Sequence, residues 1–408
     1  MDKSSRGFIY DNMLAMSAYW ACSGTIIAGL TSYFDIPVAL ASIMTGLTST
    51  LPLLQLAGGF GYSHTANRHR FVLVYNTLWR LVMPFAFFAV LMPKSIGSAV
   101  MMISVVLEIG IYQYACPSQT DWMVSHVEGK VNNNYYSIRE MCFMFVYTVI
   151  FAAVSMAIDT ATRKDNVQAG YVIIGVIVSV LLVLSLVVLF RLPPPLNAVK
   201  TEKTKISFKE PLLNKPFRRV MFTNMIFSFS GMMVGSYAAM YQIRIMKLDF
   251  FYVMIFTTVA NIARAVITPL MAKLAARISW KWVTAISMCI AALNGLTWFF
   301  VTADNIRILF PIVSLLVAIP NAGMGVGLLK MQVENSPSDN RSMYFSVNST
   351  MNGAAAFVGS MLCSVLIGVI EALSPINGQA NLKYIFIIGT VITFIAAFAA
   401  TKIKSEVK

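Results

Sequence analysis

The chain has 408 residues, of which 58% are hydrophobic and only 12% are charged, and its formal net charge is +14. The charged share is about half of that in ordinary soluble domains, so polar side chains cannot cover a water-facing surface. This composition excludes a soluble globular protein and predicts a chain whose main solvent is lipid.

Apolar residues occur in runs of about 20, the length that a helix needs to cross a hydrocarbon core of about 30 Å. The twelve predicted transmembrane helices are 8–32, 38–62, 71–92, 98–124, 135–157, 170–191, 217–243, 251–274, 282–302, 307–334, 343–369 and 383–401. Helices are expected because a lipid-exposed backbone must satisfy its own hydrogen bonds. The runs are also too long and too uniformly apolar for barrel strands. The chain is therefore predicted to be an all-α membrane protein.

Lysine and arginine are distributed unevenly over the predicted loops. If both termini are cytoplasmic, the outer loops and span ends contain only Lys94, Arg163, Lys164, Arg244, Lys247, Arg307 and Lys383. The cytoplasmic side then contains most of the others, which is the positive-inside bias. We predict a multi-pass protein of the cell membrane, inner or plasma, with both termini in the cytoplasm. The net charge is thus a signal of topology, and no nucleic-acid partner is expected.

One long polar stretch, residues 192–216, divides the spans into two sets of six. A weak internal repeat with an offset of about 210 residues aligns the start of span five with the start of span eleven. We predict two pseudo-symmetric six-helix bundles, residues 1–191 and 217–408, joined by a cytoplasmic linker. Parallel repeats of this kind predict a solute site between the bundles near the middle of the membrane.

With this layout the chain resembles bacterial-type members of the major facilitator superfamily, without a subfamily being assigned. Besides the two sets of six spans and the short basic loops after spans two and eight, the resemblance rests on the basic linker with Ser207, Phe208, Lys209, Glu210, Pro211, Phe217, Arg218 and Arg219. It implies a secondary transporter that moves a small solute by alternating access. It also implies that spans one, four, seven and ten line the cavity.

The loop after span two fits the signature of that family only in part. Gly61, His69 and Arg70 match it, whereas Thr65 stands in place of the acidic residue and Ala66 in place of the first basic residue. Span five also lacks the glycine and proline cluster that is common in drug and proton antiporters of the family.

Ionisable side chains inside a span are costly unless they face a cavity or a partner. In span eight, Thr257, Asn261, Arg264 and Thr268 recur at helical spacing and form one polar stripe. We predict that this stripe lines water and that Arg264, Asn261 and Thr257 bind substrate. The alternative is a polar contact between helices.

Further candidate substrate-binding residues lie in spans one, four and seven. Span seven carries Asn224 and Gln242 on a face that also includes Ser228, Gly231 and Gly235, although these small residues could equally serve close helix packing. Tyr19 in span one and Tyr112 in span four could stack on a planar solute or a sugar ring, and burial in a packed core is the alternative.

Glu108 lies near the middle of span four and shares its face with Tyr112 and Gln119. We predict that this carboxyl group binds and releases a proton during transport, so that protons would be the coupling ion. The alternative is a permanent ion pair with Arg80 of span three, for which we expect a scaffold role.

Charged residues cluster at the predicted cytoplasmic ends of spans four, five, ten and eleven. The predicted gating residues are Asp121, Arg139, Glu140, Glu334 and Arg341, with Lys330 beside them. Such charges can pair differently in the inward-open and outward-open states. The alternative is ordinary topogenic charge, in which exposed pairs contribute little.

Motifs for other function classes are missing from the sequence. The five cysteines lie inside spans without CxxC spacing, the three histidines lack metal-ligand spacing, and there is no P-loop or nucleophile elbow. We therefore predict no catalytic residue, no metal, no cofactor and no enzymatic activity. The partners that we expect are a small-molecule solute, the lipid bilayer and protons.

Three classes of function remain to be compared. A solute transporter explains the repeat and the charges within the spans, and a lipid or amphiphile flippase or exporter of the same fold explains them nearly as well. A membrane enzyme or receptor explains only the spans. Arg264 on its stripe favours an organic anion, whereas a permanent pair between Glu108 and Arg264 would leave a site for a neutral solute such as a sugar.

Overall fold

The computed structural model describes residues 3–21, 25–37, 51–127, 135–196, 208–241, 250–373 and 382–404, with single positions between them. In chain order the α-helices are α1 Lys3–Ala21, α2 Thr25–Tyr33, α3 Leu54–His64, α4 Arg68–Phe88, α5 Lys94–Val127, α6 Tyr135–Arg163, α7 Val167–Leu189, α8 Lys209–Leu213, α9 Lys215–Met240, α10 Phe250–Ile278, α11 Trp280–Phe299, α12 Ile306–Leu316, α13 Ala318–Glu334, α14 Arg341–Leu373 and α15 Tyr384–Thr401.

Most of the described helices can cross a bilayer. Among the described residues, nine segments are long and apolar enough, counting α12 with α13 as one, and α1 with α2 would make a tenth. Nine of the 25 residues of predicted span two, all before residue 51, lie outside the described residues, and α3 covers the end of the span. Span seven corresponds to α9, whose first turns carry Lys215, Arg218 and Arg219.

Asparagine side chains begin several of these helices. Asn67 accepts a hydrogen bond from the backbone N–H of Arg70 at the start of α4. Asn166 does the same for α7 and Asn214 for α9, where Pro216 follows in the first turn. These caps satisfy backbone donors that have no partner within the helix. They explain why α4, α7 and α9 start before the apolar runs that predicted them.

Predicted span ten is a single helix in the sequence, but the structure divides it at Val317 into α12 and α13. Pro320 explains the division because proline lacks a backbone N–H and its ring crowds the preceding turn, so it is tolerated best in the first turn of a helix. The third residue of α13 is that proline. Val317 and Pro320, at this break, both line the larger cavity that is described below.

Contacts divide the chain into two compact units. Unit 1 comprises residues 1–132, 142–207 and 338–347, and unit 2 comprises residues 133–141, 208–337 and 348–408. The bundle boundaries predicted from the sequence stay a prediction.

The main helix pairings follow one pattern in both units. In unit 1, α1 packs on α7, α3 on α5, and α4 on both α5 and α7. In unit 2, α9 packs on α15, α10 on α13, and α11 on both α13 and α15. Counted by span, each unit pairs its first with its sixth, its second with its fourth, and its third with its fourth and sixth. The structure thus repeats the same arrangement twice, as the weak sequence repeat indicates.

Glycine allows the closest helix approach in unit 1. A Cβ atom on Gly58 would lie 2.0 Å from the backbone oxygen of Tyr114, so α3 and α5 meet backbone to backbone.

In unit 2, by contrast, aromatic rings fill one end of the bundle, where α9 and α11 end and α12 and α15 begin. Trp298 and Phe310 have ring centroids 6.1 Å apart, and Trp298 stacks on Phe386 at 6.0 Å.

Candidate functional site

Unit 2 encloses a cavity of about 530 Å³. Helices α9 to α13 and α15 line it, and the aromatic end of the bundle, with Trp298 and Phe310, forms one wall. The polar side chains that line it are Ser230, Thr257, Asn261, Asn294, Ser314, Asn321, Thr390 and Thr393. None of the described residues around this cavity is charged. Its chemistry is that of hydroxyl and amide groups set in an apolar wall.

A second cavity of about 330 Å³ adjoins the first and contains Arg264, Asn224 and Gln332. The two cavities share Phe227, Asn321 and Met324 in their linings. They are described from here on as the larger and the smaller of two adjoining cavities, and together as the site of unit 2.

The polar stripe of span eight runs along both cavities. Thr257 and Asn261 line the larger cavity and Arg264 the smaller one. Thr268 is buried instead, and its hydroxyl donates to the backbone oxygen of Arg264 at 2.7 Å. Thr257 and Arg264 are seven residues apart, so the stripe extends over about 10 Å of helix rise.

Small residues provide the space for this site. A Cβ atom on Gly231 or Gly235 would meet no described heavy atom within 4 Å, and both glycines line the larger cavity. Of the two roles considered for these glycines, the structure shows open space rather than close packing. Ser228 and Asn224 of the same helix line the smaller cavity, whereas Gln242 lies outside the described residues.

Arg264 forms an ion pair with Glu140, with 2.5 Å between Nη2 and Oε1. Both side chains are about four-fifths buried, with exposures of 22% and 19%. Glu140 belongs to residues 133–141 of α6, the part of that helix that clusters with unit 2. The Nε atom of Arg264 is buried without a hydrogen-bond partner. The guanidinium group therefore keeps one unused donor.

Arg80 in unit 1 pairs with Asp11, a residue that the sequence analysis did not single out. Its Nη2 atom lies 2.9 Å and 3.0 Å from the two carboxylate oxygens. Ser185 and Gln119 also donate to that carboxylate, at 2.9 Å and 3.1 Å. Side-chain exposure is 0% for Arg80 and 3% for Asp11. This network joins α1, α4, α5 and α7, and it replaces the considered pair between Glu108 and Arg80.

Glu108 is buried, with 5% exposure, and it lies within electrostatic range of Tyr19. Tyr19 packs against Tyr112 with 4.4 Å between ring centroids, and Trp79 packs against Tyr112 at 5.4 Å. Among the described residues, neither the Glu108 carboxyl group nor the Tyr19 hydroxyl forms a hydrogen bond or ion pair. Glu108, Tyr19 and Tyr112 are thus together in unit 1, separate from the polar stripe in unit 2.

The predicted gating residues fall into both units. Glu140 is the partner of Arg264, and Arg139 beside it is half-buried. Asp121 in unit 1 is buried and accepts a hydrogen bond from Tyr62. Arg341 is buried as well, whereas Glu334 is exposed. Lys330 lies over the ring of Tyr136 at 5.6 Å.

Sequence reasoning missed Asn294, Asn321 and Trp298 as lining residues. Each amide is the one asparagine of its predicted span, and a single residue produces no periodic stripe. Asn294 is 8% exposed, and its Oδ1 atom has no hydrogen-bond partner. An amide in the middle of an otherwise apolar run was the available signal.

We predict that Asp11→Ala destabilises the protein by about 3–5 kcal/mol, because it leaves the Arg80 charge buried without compensation. The double variant Asp11→Ala with Arg80→Met should cost less than that single change, since no isolated charge remains. The free energy of unfolding of the purified protein is measured for both variants. The exposed pair Asp159 and Arg163 is the control, and Asp159→Ala should change stability little. Additive losses in the double variant would contradict a coupled pair.

Comparison with known proteins gives a consistent result for the fold. The family model described as Major Facilitator Superfamily matches residues 12–360. A search of curated protein sequences gives no significant match.

Three solved structures resemble the chain over nearly its full length. A bacterial homologue of the iron transporter ferroportin in an outward-facing state is 14% identical, with a TM-score of 0.72 over 98% of this chain and 99% of that one. The human organic anion transporter MFSD10 is 12% identical, with a TM-score of 0.67 over 97% and 98%. A double-tryptophan mutant of XylE is 10% identical, with a TM-score of 0.72 over 99% and 95%.

At identities this low, the likeness to these structures shows the fold alone. It confirms the predicted all-α membrane fold of twelve helices in two six-helix bundles. The family model covers far more than half of the sequence. The chain therefore belongs to the major facilitator superfamily and is a multi-pass secondary transporter of small solutes, not an enzyme.

Proposed function

We propose that the chain carries a small organic anion across the cell membrane by alternating access, with the two adjoining cavities of unit 2 as its binding site. One observation carries this proposal. Arg264 is the only charged side chain among the described residues that line the two cavities. A guanidinium group can make two parallel charge-assisted hydrogen bonds to a carboxylate or phosphate. Asn224, Asn261 and Thr257 would complete the polar surroundings of the solute.

The ion pair with Glu140 suggests how binding is coupled to movement. An anion at Arg264 would compete with the Glu140 carboxylate for the same guanidinium group. Glu140 lies in the first turns of α6, whereas α6 from Cys142 onward belongs to unit 1. Loss of the pair would release those turns from unit 2, and ligand-dependent pairing of this kind gives a two-state element for alternating access.

A sugar is the second candidate solute, and the larger cavity favours it. That cavity is lined by amides, hydroxyls and Trp298, and its described lining is uncharged. If Glu140 stays paired with Arg264 throughout transport, the site would suit a neutral hydroxylated solute. The competition between an anion and Glu140 therefore separates the two candidates.

Glu108 is our proposed proton-coupling residue. A carboxyl group in an apolar region favours its neutral form when no cation or hydrogen-bond donor compensates the charge. The described surroundings of Glu108 provide no such partner, and the residue is only 5% exposed. Release of the proton would require water to reach this group in another state of the transport cycle.

We further propose that both termini and the linker 192–216 are cytoplasmic, because this orientation places most lysine and arginine residues on the inner side. Single cysteines introduced at 93–97 and 158–169 should react with a membrane-impermeant reagent in intact cells. Cysteines in the linker should react only after the cells are permeabilised. The parent chain without an introduced cysteine is the control, and labelling of the linker in intact cells would reverse the orientation.

Glu108→Gln should abolish uptake driven by a pH gradient in proteoliposomes, because the amide keeps the size of the side chain but cannot ionise. Exchange of solute between the two sides should persist. Asp159→Asn removes an exposed carboxylate at the end of α6 and should leave pH-driven uptake unchanged. Normal pH-driven accumulation in Glu108→Gln would remove Glu108 from the mechanism.

Two variants test the anion site in opposite directions. Arg264→Lys keeps the charge but loses the planar fork, so affinity for the best organic anion of a screen should fall about tenfold or more, or at least 1.4 kcal/mol. Glu140→Gln removes the competing carboxylate, so affinity should rise several-fold. Equilibrium binding to the purified protein measures both. Anion affinities that are unchanged in both variants, together with sugar binding, would favour the second candidate.

A further inference from the structure

We infer that the larger cavity of unit 2 is a subsite for an uncharged, hydroxyl-rich portion of the same solute whose acidic group binds at Arg264. This inference rests on the proposed function and narrows the substrate to polyhydroxylated acids, such as sugar acids or sugar phosphates. The shared chemistry is one anionic group attached to a chain or ring of hydroxyl groups.

The first observation is the unsatisfied amide of Asn294. Its side chain lines the larger cavity, and the residue is only 8% exposed. Its Oδ1 atom has no hydrogen-bond partner. A buried polar atom without a partner is costly, and most such atoms in proteins are satisfied by protein, water or ligand. Rotation of this amide toward the cavity would let a hydroxyl group of a bound solute supply the missing donor.

The second observation is the kind of polar group around the cavity. Asn261, Asn294 and Asn321 come from three different helices, and all three line the cavity. Each amide offers both donors and an acceptor, as a row of hydroxyl groups also does. A charged ligand portion would find no counter-charge in the described lining. Trp298 adds an aromatic side chain to the lining.

The third observation is the size of the two cavities and the fact that they adjoin. The larger cavity has about 530 Å³ and the smaller about 330 Å³, and the two share Phe227, Asn321 and Met324. Small-molecule sites generally occupy about 300–1,000 Å³. The stripe from Arg264 to Thr257 covers about 10 Å. A compound of about six carbons with an acid at one end therefore spans from the guanidinium group into the amide-lined space.

Five probes separate the acidic group from the hydroxyl-rich portion. Gluconate and hexanoate are six-carbon carboxylates with and without hydroxyl groups, and glucose 6-phosphate and inorganic phosphate form the corresponding phosphate pair. Glucose alone lacks the acid. Binding to the full chain in lipid nanodiscs is measured by titration calorimetry. We expect the hydroxylated member of at least one pair to bind tenfold or more tightly than its partner.

The variant Asn294→Leu tests the orphaned amide with a side chain of similar size. Gluconate, or glucose 6-phosphate if that is the tighter ligand, should then lose its advantage and bind no more than about twofold better than its partner. Asn261→Leu places the same change on another helix, so the test remains if one variant fails to fold. Thr297→Val is the control. Thr297 precedes the lining residue Trp298 in α11, but it does not belong to the described lining of the cavity.

The outcomes distinguish this inference from the proposed function. Equal binding of hydroxylated and plain acids, still lost in Arg264→Lys, overturns the subsite and keeps the anion site. Glucose binding as tight as gluconate binding, and insensitive to Arg264→Lys, overturns the anion site and keeps the hydroxyl subsite alone. Binding of none of the five probes overturns the inference.

Discussion

A charged side chain inside a bilayer is stable only where another group compensates its charge, and this requirement shapes both units. In unit 1 the carboxylate of Asp11 accepts hydrogen bonds from Arg80, Ser185 and Gln119, so one compensated charge joins four helices. In unit 2 the pair of Arg264 and Glu140 joins α10 to the first turns of α6. The first pair is almost fully buried and the second is partly open to its cavity, so they suit different roles.

The two units repeat one pattern of helix pairing but use their interiors differently. Among its described helices, unit 1 contains the ionic network of Asp11 and the packed rings of Tyr19, Tyr112 and Trp79. Unit 2 leaves a hollow lined by amides and hydroxyls. Duplicated architecture thus fixes where helices lie, while side-chain volume decides whether the interior is a scaffold or a site. This asymmetry supports placing solute binding in unit 2 and the proposed proton step in unit 1.

The sequence predicted the spans well because the length of an apolar run measures membrane thickness directly. The stripe of Thr257, Asn261 and Arg264 was predictable too, since helical periodicity places its members on one face. Periodicity within one helix says nothing about partners on another, and the pairs of Asp11 with Arg80 and of Glu140 with Arg264 join residues far apart in the chain. Asp11 also sits close to the start of its predicted span, where a charge needs no special explanation.

Gly231 and Gly235 have a consequence for how this transporter can diversify. Any side chain placed there would grow into the larger cavity, because no described atom occupies the space around either Cβ position. Glycines at the interfaces of membrane helices let the backbones approach closely, so a side chain there pushes the helices apart. Here, alanine, serine or valine would reduce the room for a solute and leave the helix packing as it is. Selection on solute size could therefore act on two positions of α9 with little effect on the stability of the fold.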